Sequence, residues 1–260
     1  MLQTLTVTFL YIFAICVVIE FVWSRAKNAK IYNSKETLCN MAIYAVHALI
    51  QPLAFAWAYL AYSQFIHLIP YSLPQTAWAL VLTFVVTDFA YYWYHRFNHE
   101  WPALWTLHHA HHSSRNMNLT AAVRLSWPAR FVTPFFFMPL FLLGMPPEWV
   151  YSSLALGLIY QFFLHTEAID KLGWFEGKLL NTPSAHRVHH GYNDGYRDKN
   201  YAGALIIWDR LFGTYMAEGE ASNYGIKGFE SHNPIKVQFH QAQQYLKTLG
   251  QRRADTVINK

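Results

Sequence analysis

Apolar residues fall in four long blocks separated by polar stretches. Residues 5–23 (LTVTFLYIFAICVVIEFVW) contain a single charge, Glu20. Residues 41–66 and 76–94 are two further apolar runs of helix length. Such runs are long enough to cross a hydrocarbon core about 30 Å thick. The fourth block, 131–165, is divided. Its halves, 131–143 and 148–165, flank Gly144, Met145, Pro146 and Pro147, and glycine and proline break a helix there. The pattern predicts a hairpin that enters the bilayer and returns, its first half kinked or partly inserted because of Pro134 and Pro139. The tail from 166 to 260 is polar, with short helices punctuated by glycine and proline. The expected fold is therefore all-α: an integral membrane helical bundle with a cytosolic, histidine-rich helical cap formed by 95–130 and 166–260, all in one domain over 1–260.

Composition supports lipid as part of the solvent. The chain is 53% hydrophobic and only 13% charged, against about 25% charged in an average soluble domain. The net charge of +5 and pI near 9.1 suit an anionic membrane surface. No basic stripe stands apart from the apolar segments, which argues against nucleic acid as a partner. Charge placement gives an orientation. With the N-terminus outside, the segments 24–40, 95–130 and 166–260 are cytosolic and hold 4, 4 and 12 Lys and Arg, all 20 in the chain. The outward loops 67–75 and 144–147 hold none. This is the positive-inside pattern, and it fits a bacterial inner membrane or the endoplasmic reticulum. Helices buried in a soluble protein would not sort charge in this way. The first apolar run lacks the features of a cleaved signal peptide and is expected to be a retained anchor. Cys16 and Cys39 show no metal or disulfide spacing and are expected to be unpaired. Tyrosines and tryptophans near segment ends fit an interfacial aromatic belt.

The chemistry lies in the histidines. The chain has 14. The first box is His95-Arg-Phe-Asn-His99, the second His108-His109-Ala-His111-His112, and the third His186-Arg-Val-His189-His190. On a helix, positions i, i+3 and i+4 share a face. His95 and His99 should therefore point together, as should His108, His111 and His112, and likewise His186, His189 and His190. His109 falls off that face and reads as a polar supporting residue. Eight facing imidazoles exceed one metal: structural zinc takes about four ligands and catalytic zinc about three. Two metals fit the number. Imidazole accepts zinc, copper, iron or nickel, so donor type alone does not select the ion. The first box follows the run 76–94, the third lies in the tail, and His165 ends the hairpin. All should meet at the cytosolic interface, where substrate can come from the bilayer and electrons from the cytosol. His165 reads as a further ligand or as an interfacial hydrogen-bonding residue.

Several neighbours are candidates for support. Asp88 lies seven residues before His95, on its face, and a carboxylate at that depth is expensive and usually functional. Its expected role is to hold the distal N–H of a ligand histidine. Glu100 follows His99 and could orient a ligand or hold a proton. Asn181, Asp198 and Asn200 flank the third box, with loop structure an equal reading. His47, His67, His232 and His240 are isolated and read as structural or interfacial.

The boxes HRFNH, HHAHH and HRVHH, in that order, resemble the fatty acid hydroxylase and sterol desaturase superfamily of membrane di-iron enzymes. The similarity runs over about 80–235, including DFAYYWYHRFNHE, WTLHHAHHSS and NTPSAHRVHHGYNDGYRDKNYAGALIIWDRLFGTY. QFFLHTE and NTPSAHRVHHG look most like the alkylglycerol monooxygenase branch. The resemblance implies two non-haem iron ions, molecular oxygen, an external reductant, and hydroxylation or desaturation of a fatty acyl, sterol or ether lipid. Its ligands would be His95, His99, His108, His111, His112, His186, His189 and His190, with His165 as the ninth. Some members carry a fuller H-x-x-x-H at the third element; here Ile169 stands four residues after His165. No cytochrome b5-like segment or flavin or nicotinamide fingerprint is present, so a separate electron donor is expected. The branch implies a tetrahydropterin; a cytochrome b5- or ferredoxin-type protein is the other candidate. Two readings from other classes compete. A metal transporter would need ligating groups along its spans, where only Asp88 and His47 stand. A zinc-dependent hydrolase would need fewer histidines and a general base, for which Glu100 is the near candidate.

Overall fold

The computed structural model describes the backbone over residues 2–64 and 71–258, and side chains over 10–64 and 71–251; His67 lies outside the described residues. The described chain is helical and has no strand, only isolated bridges. The long helices are α1 (Leu2–Ala26), α2 (Ser34–Ser63), α3 (Ala77–Glu100) and α10 (Pro234–Ile258). Between them lie α4 (Pro102–Trp105), α5 (His109–His112), α6 (Ala129–Leu142), α7 (Pro147–Phe162), α8 (Pro183–His190) and α9 (Ile207–Leu211). Each apolar block thus becomes a helix or, for 131–165, the pair α6–α7. Helix α3 runs past its apolar run and carries the first histidine box in its last turns.

Local chemistry sets the boundaries. The Asn33 side chain accepts from the N–H of Lys35 and Glu36 at 3.0 and 3.2 Å and starts α2. Pro147 opens α7, where a missing N–H costs nothing. The α6–α7 corner turns at Gly144, whose φ of +79° favours glycine. Its carbonyl accepts from Leu73 N–H at 2.8 Å, and a Cβ there would run into the Tyr71 ring. The hairpin helices have 14 and 16 residues, roughly 21 and 24 Å long at 1.5 Å per residue. Neither reaches the roughly 20 residues of a full span. Pro134 and Pro139 lie inside α6.

Helix α3 is central, packing on α7 and α6, while α2 packs on α6 and α10 covers α2, α4 and α5. Polar contacts lock these pairs: Tyr91 donates to Gln161 at 2.8 Å, Tyr94 and Thr133 hydroxyls meet at 2.8 Å, and Trp57 donates to the Phe131 carbonyl at 3.1 Å. The distribution of polarity is inverted. Glu20, Glu36, Asn40, Thr87, Asp88 and Arg124 are buried, whereas Tyr11, Ile19, Leu49, Leu53, Val81 and Leu156 are exposed. Among the described residues, α2 is the helix long and apolar enough to cross a membrane.

Arg124, 1% exposed, is the hub between α2 and the second box. It donates to the Ala110 carbonyl at 3.1 Å, Ser113 Oγ at 3.0 Å and Asn40 Oδ1 at 2.9 Å. Replacement with Met keeps the stem but leaves buried acceptors unpaired. Arg124→Met should lower stability by about 2–3 kcal/mol, read as a fall in thermal midpoint in detergent. An unchanged midpoint would show that water replaces the guanidinium there.

Candidate metal centre

His95 and His99 stand one turn apart on α3. His108 immediately precedes α5, a single helical turn that holds His109, His111 and His112, so the second box does not lie on a long helix. His165 follows α7. The third box occupies the second half of α8, which Pro183 opens and Thr182 caps by accepting from Ala185 N–H at 3.3 Å.

These nine imidazoles form two adjoining groups: His95, His99, His108, His112 and His189, and His111, His165, His186 and His190. Within each, the candidate ligand atoms all lie within 4.8 Å of one another, and each group could hold a metal ion. His112 and His190 stack across the boundary at 4.3 Å. The expectation that each H-x-x-H-H presents one common face is corrected by this division. The i and i+4 members of each box go to one group and the i+3 member to the other. On a helix advancing about 100° per residue, i+4 lies about 40° to one side of i and i+3 about 60° to the other. That fan is wide enough to serve two centres.

Backbone carbonyls set the ring orientations. His95 Nδ1 donates to Tyr201 O at 2.7 Å, His165 Nδ1 to Gln161 O at 2.7 Å, and His189 Nδ1 to Lys199 O at 3.0 Å. A carbonyl can only accept, so Nδ1 carries the proton and Nε2 offers a lone pair. The Nε2 atoms then crowd together: His95 to His108 at 2.9 Å, His108 to His112 at 3.1 Å, His165 to His111 at 3.1 Å, His165 to His186 at 3.0 Å and His186 to His190 at 3.2 Å. His99 Nε2 and His189 Nε2 are buried without a hydrogen-bond partner. Ligands about 2.1 Å from one ion and at right angles would stand about 3 Å apart. The donor set therefore fits a metal in each group. Burial holds His165 down to about 4. Burial first, then neighbouring imidazoles, holds His108, His111, His112, His186, His189 and His190 well below the ordinary value. At neutral pH these rings are uncharged, as metal ligation requires.

Asp88 does not hold a histidine, correcting that expectation. Its carboxylate accepts from Ala204 N–H at 2.8 Å, Leu205 N–H at 3.0 Å and Trp208 Nε1 at 2.9 Å. It holds the same segment that presents the Tyr201 carbonyl to His95. Glu100 pairs with Arg96 at 2.8 Å and accepts from the Tyr201 hydroxyl at 3.4 Å, at the margin of the first group. His109 packs against Phe229 and His240. Asn181 and Asn200 are loop braces, donating to Ala202 O at 2.7 Å and Met216 O at 2.7 Å. Asp198 has a positive φ of 59° and faces Arg197 at 3.5 Å. His47 accepts from Arg130, His240 stacks on Phe229, and His232 precedes α10.

Other supports were not anticipated. Asp209 accepts from Tyr201 N–H and Ala202 N–H, both at 2.8 Å, so the Tyr201 residue is held at its N–H by Asp209 and at its carbonyl by His95. Glu36 accepts from the Ser114 hydroxyl, Arg115 N–H at 2.8 Å and Asn116 Nδ2 at 2.6 Å, fixing the segment after the second box. Glu20 accepts from Tyr32, Leu119 N–H and the Thr166 hydroxyl beside His165. Arg187 forks onto Glu218 at 2.7 Å and donates to the carbonyls of Thr166 and Ile169. The signal for Glu20 was its isolation in an apolar run; for Arg187, a charge inside a box.

Residues 80–214 match the family model for fatty acid hydroxylases, a stretch that contains all nine clustered histidines. The chain belongs to the fatty acid hydroxylase family. Among its relatives, the chain is 46% identical over 172 residues to human alkylglycerol monooxygenase, covering 65% of this chain and 38% of that protein. It is 38% identical over 171 residues to the alkylglycerol monooxygenase of Caenorhabditis elegans, covering 64% of this chain and 33% of the relative. An ornithine lipid hydroxylase of Rhizobium tropici is 30% identical over 141 residues, covering 54% of this chain and 42% of the relative. The chain thus spans less than half the length of these curated relatives. No solved structure matches it at a significant level.

The lowered imidazoles set a pH dependence. Folded His165 binds a proton less readily than the unfolded chain, whose value is near 6.5. The unfolded state therefore gains protons first as pH falls below about 6.5, and metal-stripped protein loses about 1.4 kcal/mol per affected imidazole per pH unit. Thermal midpoints of metal-stripped protein should drop between about pH 7 and pH 5. A flat profile would show that these rings are not held neutral in the fold.

Proposed function

We propose that this chain is a multi-pass membrane oxygenase that holds two iron ions and uses molecular oxygen to hydroxylate, or desaturate, a lipid. The observation that carries the reading is the pair of adjoining histidine groups with converging lone pairs. One domain spans 1–260. In the proposed topology α1, α2 and α3 cross the bilayer, α6–α7 enters and returns, the N-terminus is outside, and the histidine groups and C-terminus face the cytosol. The exposed apolar faces of α1, α2 and α3 support it, as does the confinement of all Lys and Arg to one side.

The hydroxylation converts a lipid C–H, O2, two electrons and two protons into C–OH and water. Iron would supply oxygen binding and the redox equivalents. His95, His99, His108, His112 and His189 would hold one ion, and His111, His165, His186 and His190 the other. The chain's own residues set the stage. Tyr201, Gln161 and Lys199 carbonyls keep the Nδ1 protons of His95, His165 and His189 in place, so Nε2 is the donor. Asp88 and Asp209 are positioning residues that fix the loop bearing Tyr201. Glu100, beside the Tyr201 hydroxyl and part-exposed, offers a carboxylate oxygen that can take a proton from the cytosol. Electrons come from an external reductant, a tetrahydropterin or a cytochrome b5- or ferredoxin-type donor. An ether lipid is the first substrate to test, because the relatives include alkylglycerol monooxygenases.

Iron-reconstituted protein with reductant should consume oxygen and oxidise an alkylglycerol, whereas zinc-reconstituted protein should not. Equal turnover with zinc, without oxygen uptake, would reject the oxygenase reading.

Metal content provides a separate test. Wild-type protein should bind about two ions, since imidazole sets of this size exceed one centre. His95→Ala and His186→Ala should each lose about one equivalent and abolish turnover. His165→Ala should also lose one, from the second group. Full metal and full lipid oxidation in His95→Ala would exclude the assignment.

Asp88→Asn should retain most metal but lower turnover about 10–100-fold, as when a ligand's support is loosened. The expected signature is a changed metal spectrum at nearly unchanged stoichiometry. Wild-type rates in this variant would remove Asp88 from the positioning role.

A further inference from the structure

Between His165 and α8 the chain exposes Ile169, Leu172, Trp174, Phe175, Leu179 and Leu180. Single exposed apolar residues are ordinary, but a contiguous run of this size marks an interaction surface. Trp174 is 70% exposed, with its ring 3.7 Å from that of Phe175. The exposure belongs to an ordered segment. Leu172 N–H donates to Glu176 Oε2 at 3.0 Å, and Glu176 Oε1 accepts from the Thr182 and Ser184 hydroxyls. Ile206 N–H donates to Leu179 O at 3.0 Å. Gly177, with φ +65°, sits where a Cβ would collide with Tyr215.

Charge and continuity identify what meets this surface. Lys171 and Lys178 are exposed within the segment, and Lys178 Nζ lies 5.0 Å from the Trp174 ring centre. Asp170 is its one exposed carboxylate. The segment lies a few residues beyond α7, whose exposed side carries Leu156 and Ile159, and Phe163 just after that helix is exposed too. Tryptophan with flanking lysine is the composition found where an apolar surface gives way to head groups.

We propose that residues 169–180 are an interfacial anchor whose occupant is the bilayer itself. The apolar side chains enter the boundary between head groups and acyl chains, and Lys171 and Lys178 meet lipid phosphates. Because Glu176 ties the anchor to Thr182, the cap of α8, the same contact sets the depth of His186, His189 and His190 relative to the lipid surface. The proposal rests on the membrane reading above.

The test uses the full chain in lipid nanodiscs containing anionic phospholipid. Trp174→Cys and, separately, Leu179→Cys carry an environment-sensitive fluorophore. Leu53→Cys on α2 and Arg197→Cys in the cap serve as controls, and wild-type protein gives the background from Cys16 and Cys39. Lipids spin-labelled near the head group should quench the probes at 174 and 179 more than lipids labelled near the chain end. The probe at 53 should be quenched by one or both lipids and that at 197 by neither. If 174 and 179 behave like 197 while 53 is quenched, the anchor is wrong and the membrane reading stands. Shielding of 174 and 179 by a second copy or another protein would overturn the anchor in the same way. If 53 also escapes quenching, the membrane reading fails and the anchor with it.

Discussion

Nine imidazoles with their lone pairs converging are a concentration of like dipoles that a folded chain must hold against repulsion and desolvation. The backbone does the holding. Carbonyls of Tyr201, Gln161 and Lys199 fix three rings directly. Most of the buried charge elsewhere fixes the segments that supply those carbonyls or carry the boxes. Asp88 and Asp209 grip the loop around Tyr201 from two helices. Arg124 grips the second box at Ala110, and Glu36 grips the segment just after it. Glu20 and Arg187 converge on Thr166, next to His165.

That requirement explains the inverted polarity. A soluble protein places carboxylates and guanidinium groups outside. Here six such groups, Glu20, Glu36, Asp88, Arg124, Arg187 and Asp209, are buried. Each is satisfied by backbone N–H, backbone carbonyl or a bidentate partner, which is the condition for burying charge at acceptable free energy. The outward faces of α1, α2, α3 and α7 carry aliphatic and aromatic side chains.

What was legible in the sequence was what depends on local period and spacing. The four apolar blocks became α1, α2, α3 and the α6–α7 pair, with the break at Gly144. The boxes came together, and His165 joined His111, His186 and His190. What was not legible depends on partners distant in the chain. Asp88 shares a helical face with His95, yet its carboxylate is taken by a loop 116 residues away. Glu36 meets Ser114 across 78 residues, a pairing that no periodicity encodes. The shared-face rule failed for a different reason: it treats a span of about 100° as one direction, whereas the two groups lie close enough for that span to separate them.

This division of each box has a mechanical consequence. In α8, His189 faces one group while His186 and His190 face the other. A small rotation of α8 that advances His189 therefore withdraws one or both of its companions. The second box imposes the same opposition with the groups exchanged. The two groups are therefore linked through α8 and through the second box. A shift of α8 reaches both groups at once, because one short helix carries rings of each.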